Sequence, residues 1–258
     1  MQEHPLHLDV VELRRFYSST DLGRMAERTI RERLRQLWPN VKGQSVVGFG
    51  YAAPFLEPFL EEASRTLCLM PAQQGVCAWP SEGPNVSALV EETLWPLPGG
   101  FADRLVVAHG LETCERPAAL LDEIWRVLAP GGKVIFIVPN RAGMWARRDG
   151  TPFSYGRPYS IGQLDQTLAD HKFAPERNTA ALYLPPSHRR FWLRMAPAIE
   201  RVGQRVDARR LAGVVMLEAE KMVYITPKAG NRATARDPIR VLSGLGTPAP
   251  KPAGRSRN

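Results

Sequence analysis

The chain has 258 residues, 44% of them hydrophobic and 23% charged, which is the balance of a globular protein with room for a sizeable core. Its formal charge of +8 is concentrated at the C-terminus, where residues 228–258 hold seven Lys or Arg against one acid, Asp237, leaving about +2 on the rest. A near-neutral body argues against nucleic acid as a partner, and no apolar run approaches the roughly 18 residues of a membrane span.

The N-terminus, MQEHPLHLDVVEL, lacks the basic and continuous apolar regions of a secretory signal. Residues 8–38 read as helix: Leu13, Phe16, Tyr17, Met25, Ile30, Leu34 and Leu37 recur near helical spacing, with Arg and Glu between them. WPNVKGQ then breaks the pattern. From Ser45 short apolar strands alternate with helices, the strands predicted at 45–49, 66–70, 86–90, 104–108 and 133–138. PAALLDEIWRVLAPGG, between the last two, is the clearest helix, with Pro117 in its first turn and Pro130-Gly131-Gly132 as its stop. Strands joined by helices imply βαβ units and a mostly parallel sheet.

After Pro139 comes a long irregular loop, NRAGMWARRDGTPFSYGRPYS, and then a helix, SIGQLDQTLADH, with Ser160 and Gln163 spaced for a capping box. A strand at 180–184, a helix around 188–203 and the β-rich GVVMLEAEKMVYITP follow, and the tail GTPAPKPAGRSRN has the composition of a disordered segment. Three cysteines, Cys68, Cys77 and Cys114, are an odd number without CxxC spacing. Free thiols in a reducing cytoplasm, with no metal site, are the expectation.

VVGFGYAAPFL at 46–56 carries the first functional signal: an apolar strand runs into Gly-x-Gly and then towards a helix. Gly50 lacks a Cβ, so backbone there can approach a ligand closely. Pro54 and Pro58 together forbid an uninterrupted helix from Pro54, because Pro58 has no N–H for the residue-54 carbonyl.

In its order of motifs the stretch VEETLWPLPGGFADRLVVAHGLETCERPAALLDEIWRVLAPGGKVIFIVPN resembles the class I S-adenosylmethionine (SAM) dependent methyltransferases, particularly those called type 11. The carriers are Trp95–Pro98, Asp103, Leu111-Glu112 and Arg126–Gly132, ahead of an apolar strand and Pro139-Asn140. The likeness covers about residues 20–228. It implies a Rossmann-like α/β fold with a seven-stranded, mostly parallel sheet ending in an antiparallel hairpin. It divides the chain into N-terminal helices capping the site (1–40), a methyltransferase-like domain (41–228) and a basic tail (229–258).

The resemblance implies SAM as cofactor, held by Gly48, Phe49, Gly50 and Tyr51 after the first strand, Met70 and Pro71 after the second, Glu91 and Glu92 after the third, and His109 and Gly110 after the fourth. His109 is the candidate catalytic residue. Several positions depart from the family pattern: Gly48 stands where an acid is usual, Ala52 and Pro54 replace later glycines, and Met70 replaces the carboxylate that takes the ribose hydroxyls. Gln73 and Gln74 are neutral substitutes for that carboxylate, and Thr113 stands where many relatives have a second histidine. Arg147, Tyr155, Arg157 and Tyr159 in the long loop are candidate acceptor-binding groups, suited to an anionic or aromatic acceptor. Arg189, Arg190 and Arg194 precede or begin a helix whose Phe191, Met195 and Ile199 share a face.

Two functions follow. One is methyl transfer from SAM to a small-molecule or protein acceptor. The alternative is a catalytically inactive member of the fold that binds or regulates a protein partner. A nucleic-acid acceptor is not expected, since no Asn/Asp-Pro-Pro-Tyr/Phe sequence occurs.

Overall fold

The computed structural model of the protein describes residues 8–206 and 209–222, so the tail at 229–258 lies outside the described residues. Residues 8–38 form two helices rather than one, α1 (Val10–Ser19) and α2 (Asp21–Leu37). The break is chemical. Thr20 is extended, accepts the Gly23 N–H at 2.9 Å as N-cap, and donates its hydroxyl to the Phe16 carbonyl at 2.8 Å. A Cβ on Gly23 would lie 1.9 Å from that carbonyl oxygen, so the two helices can meet at this angle only over glycine.

Seven strands form one sheet: β1 (Ser45–Gly50), β2 (Arg65–Pro71), β3 (Ser87–Val90), β4 (Ala102–Ala108), β5 (Leu128–Pro139), β6 (Phe173–Ala181) and β7 (Val214–Lys221). Their order is β3-β2-β1-β4-β5-β7-β6, parallel as far as β5, with β7 antiparallel to both β5 and β6. The mostly parallel sheet and its antiparallel end are as the sequence implied. The sixth strand is not where the sequence reading put it. It spans Phe173–Ala181, and the chain leaves it at Leu182, whose φ is +64°. Leu182 and Leu184 are apolar because they are buried, not because they pair. β5 also begins earlier than 133, since Leu128 pairs with Ala102 ahead of the Gly131-Gly132 irregularity.

Alternate strand residues enter two apolar layers. Val46, Cys68, Val106, Ile135 and Met216 join α1, α2 and α3 (Ala53–Leu56), and part of α6 (Arg190–Arg205). Val47, Leu69, Leu105, Val134 and Leu217 join α4 (Pro117–Val127) and α5 (Ile161–Asp170), whose Ser160–Gln163 capping box is formed. As the two prolines require, the helix after β1 is only four residues long and gives way to a 3-10 turn at Glu57–Phe59.

The connections from β2 to β3 (72–86) and from β3 to β4 (91–101) contain no helix, and Leu89 on the edge strand is 52% exposed. Trp95 covers part of that ground by stacking on Phe49 at 4.8 Å between centroids. Helix α4 holds the loop: Glu123 accepts the Trp95 N–H at 2.6 Å, and Arg126 donates to the Leu97 and Trp95 carbonyls. Burial works to raise the Glu123 pKa, but the Arg126 guanidinium and the Trp95 N–H outweigh it and hold the carboxyl below its ordinary range.

Replacing Glu123 by Ala should therefore cost roughly 2 kcal/mol in denaturant unfolding at pH 7, the scale of one charge-assisted hydrogen bond lost. Because the folded pKa is depressed, that stabilisation is present above the unfolded carboxyl pKa and is lost as pH falls through the folded one. The mutant and wild-type curves should accordingly converge in acid.

Candidate functional site

In a doubly wound sheet the carboxyl ends of the strands around β1 and β4 are where a ligand is expected. Gly50 and Ala108 are paired there. Gly50 has φ +77°, and a Cβ on it would lie 2.2 Å from the Ala108 carbonyl oxygen, so this close strand contact needs glycine. That carbonyl accepts the Tyr51 N–H at 2.8 Å.

The residue that follows β4, His109, is 3% exposed and sits at φ +51°, a conformation that costs a non-glycine residue about 1–3 kcal/mol. Several neighbours hold it there. Its carbonyl accepts from the Gln74 amide and from the Thr113 hydroxyl, the latter at 3.2 Å. Its Nδ1 lies 3.3 Å from Glu112 Oε1, and its Nε2 lies 2.7 Å from the Tyr17 hydroxyl. The Phe153 ring leans on the imidazole at 5.0 Å.

The Glu112 carboxylate is buried and makes no hydrogen bond of good geometry, and among the described residues Nδ1 of His109 is the group within ion-pair distance of it. Taking the Tyr17 O–H as donor to Nε2 assigns the ring proton to Nδ1, the nitrogen that faces Glu112. Burial, then the neighbouring Tyr51, Glu112 and Glu27, pushes the Tyr17 hydroxyl well above its ordinary pKa, so it remains a neutral donor. The result is a buried line of Glu112, His109 and Tyr17. Its third member comes from the last turn of α1, where the ring stacks on Tyr51 (5.9 Å, 17°) and meets Phe55 edge-on.

The residues singled out in the sequence are distributed unevenly. Gly48, Phe49, Gly50, Tyr51, Met70, Pro71, His109 and Gly110 are all buried at or near these strand ends. Glu91 is not brought in: it is exposed and faces Arg116 at 3.7 Å. Glu92 is buried beside Cys114, whose thiol burial pushes up to about 12, with Glu92 adding to the shift. Gln74 does reach the site, though through the His109 carbonyl.

Of the four loop residues, Arg157 and Tyr159 share a shallow depression with Arg141 and the first turns of α5. Tyr155 is half-buried against the core, and Arg147 is exposed. The loop residue at His109 is instead Phe153. Phe191 is 66% exposed, whereas Trp192 packs against the core. Tyr17, Glu112 and Phe153 were missed as site residues. The first reads as one more apolar position on an amphipathic helix.

The family model for the methyltransferase domain matches residues 47–136. No curated protein matches the chain. Among solved structures, one similar protein is a SAM-dependent methyltransferase of Thermotoga maritima described as a "possible histamine N-methyltransferase": 16% identity, 83% of this chain, 96% of that one, TM-score 0.56. Another is a SAM-dependent methyltransferase of Mesorhizobium loti, with 16% identity, 80% and 100% coverage and a TM-score of 0.53. A third belongs to the complex between the Haloferax volcanii Trm112 methyltransferase activator and a methyltransferase, with 15% identity, 82% and 98% coverage and a TM-score of 0.58. The fold is thus the Rossmann-like fold of class I methyltransferases.

The residues present do not fit SAM in the described arrangement. The Tyr51 N–H is bonded to Ala108. The N–H groups of Ala52 and Ala53 face the Cys68 thiol, which burial pushes up to about 12. Met70 offers sulfur where a carboxylate would take ribose, and its sulfur already accepts the Cys77 N–H at 3.5 Å. The Tyr17 and Tyr51 rings occupy the strand ends themselves.

Tyr17→Phe should cost about 1–3 kcal/mol in denaturant unfolding, because it leaves the buried His109 Nε2 without its partner. Restoring the loss needs a hydroxyl at that position, which Tyr17→Leu would not supply.

Proposed function

With the methyltransferase-domain match at residues 47–136 as its premise, we propose that this protein is a SAM-dependent methyltransferase described in a closed state, with α1 covering the cofactor end of the sheet. The observation that carries the reading is the Tyr17–His109 hydrogen bond. A residue from outside the matched domain fills the position beside the strained strand-end histidine. When bound, SAM supplies an electrophilic methyl group, which an enzyme exploits mainly by alignment and exclusion of water. The chain's own contribution is the Glu112–His109 pair: once Tyr17 withdraws, Nε2 is free to take a proton from an acceptor, and Glu112 holds the ring orientation. Gly50, Tyr51, Met70, Pro71 and Gly110 would line the opened end. Arg157 and Tyr159, beside Arg141, would receive an anionic or aromatic acceptor, either a small molecule or a protein.

A second reading has support of its own. Both helix-less connections flank β3, and Met70 stands at the adjoining end of β2, so the half of the sheet that would hold adenosine is the reduced half. On this reading the protein is catalytically inactive and serves a protein partner. One of the similar structures is a methyltransferase held with an activator protein.

Calorimetric titration with SAM and S-adenosylhomocysteine separates the two. Under the first reading both ligands bind, and Tyr17→Phe tightens them about tenfold, since each 1.4 kcal/mol removed from the closed state is worth a factor of ten. Absence of heat at millimolar ligand with both wild type and Tyr17→Phe would overturn it in favour of the inactive member.

A further inference from the structure

Away from the strand ends, α2 and α6 lie side by side over one face of the sheet and leave between them a cleft of about 470 Å3, within the range of small-molecule sites. Its charge is unbalanced. Five arginines line it, Arg28, Arg190, Arg194, Arg201 and the buried Arg33, against three acids: Asp21, which pairs with Arg24, Glu32 and the buried Glu200. Among the described residues Arg28, Arg190 and Arg194 make no hydrogen bond or ion pair, although arginines elsewhere on α2 find Asp21, Glu27, Glu57 and Glu62.

The floor is built and incompletely satisfied. Arg33 and Glu200 both have side chains 7% exposed and approach only to 3.8 Å. Glu200 Oε1 accepts the Tyr183 N–H at 2.7 Å, and Arg33 donates to Gln36 at 2.8 Å. Glu200 Oε2 and Arg33 Nε have no hydrogen-bond partner. Buried polar groups left this way are uncommon and call for an explanation. Met25 and Leu193 supply an apolar wall.

We propose that the α2–α6 cleft binds a small organic anion, a phosphate ester or carboxylate on a short apolar body, with Arg28, Arg190 and Arg194 gripping the anionic head over the Arg33–Glu200 floor. Guanidinium groups suit such heads because they donate paired, charge-assisted hydrogen bonds. The floor carboxylate does not defeat this: burial pushes Glu200 up to about 7, against the opposing pull of the Tyr183 N–H and Arg33, so near neutrality much of it carries a proton. The site is independent of SAM. It lies on the helical face, and none of its residues belongs to the Tyr17–His109–Glu112 line.

The test is calorimetry on the full-length protein in low salt, with phenyl phosphate, benzoate and the neutral benzyl alcohol as probes. Saturable binding of either anion at low-millimolar concentration or below is expected, with phenyl phosphate the tighter if the head is a phosphate and benzoate if it is a carboxylate. Arg28→Ala with Arg194→Ala should weaken it about tenfold or more. Both side chains are exposed, so the melting temperature should not move. Binding of benzyl alcohol as tight as the anions, anion binding indifferent to the double substitution, or no saturable heat from either anion would each overturn the proposal.

Discussion

The carboxyl end of the sheet depends on how His109 is held. Its backbone is left-handed at φ +51°, and against that strain its carbonyl and Nε2 are hydrogen-bonded while Nδ1 faces Glu112. The partners come from three separate stretches: Gln74 after β2, Glu112 and Thr113 just beyond β4, and Tyr17 from α1. The imidazole therefore ties the N-terminal helices to the domain. The same contact that fixes the histidine also denies access to it. Stability and occlusion here are one interaction, which is why a change at Tyr17 is read out in both.

The two halves of the sheet are unequal, and the inequality has a local cause. Around β4, β5 and β7 helices cover the sheet, and the strands are buried over their paired centres, Leu105–Ala108, Val134–Pro139 and Val214–Ala219. Around β3, connections without helices leave Leu89 in solvent, and a single tryptophan fastened by Glu123 and Arg126 substitutes for a crossover helix. A sheet can afford such thinness at an edge, where one neighbour rather than two must be shielded. The reduction falls beside Met70, so loss of a polar contact and loss of covering structure occur together.

Much of this was legible in the sequence because it rests on short-range chemistry. The Gly-x-Gly turn, the interrupted helix at Pro54 and Pro58 and the Ser160–Gln163 box are each dictated by residues within a few positions of one another. Helix α4, by contrast, ends at Val127, ahead of Pro130-Gly131-Gly132, because Leu128 already pairs with β4. The misreadings arose where tertiary contacts decide. FAPERNTAA lacks a strand-like apolar pattern because β6 is an edge strand with solvated positions, whereas the apolar run after it is buried off the sheet. The Thr20 break had its signal, a capping threonine three residues before a glycine, but the apolar spacing runs on through it. Tyr17 could not be told from a core residue, since only the folded chain shows its hydroxyl at His109. The Arg33–Glu200 floor joins residues far apart in the chain and left no local trace.

The far end of α2 is fastened differently. Trp38 donates its indole N–H to the fully buried Glu218 at 2.7 Å, and Arg177 bridges Glu218 to the Leu37 carbonyl. Between this anchor and the Thr20 cap, Leu22, Met25, Ile30, Leu34 and Leu37 are buried, so α2 is fastened from end to end. Through Glu218 the helix is tied to β7, the strand that runs antiparallel to both of its neighbours. The helix that carries one wall of the cleft beside α6 is thus fixed to the sheet at its far end, and the sheet sets where that wall stands.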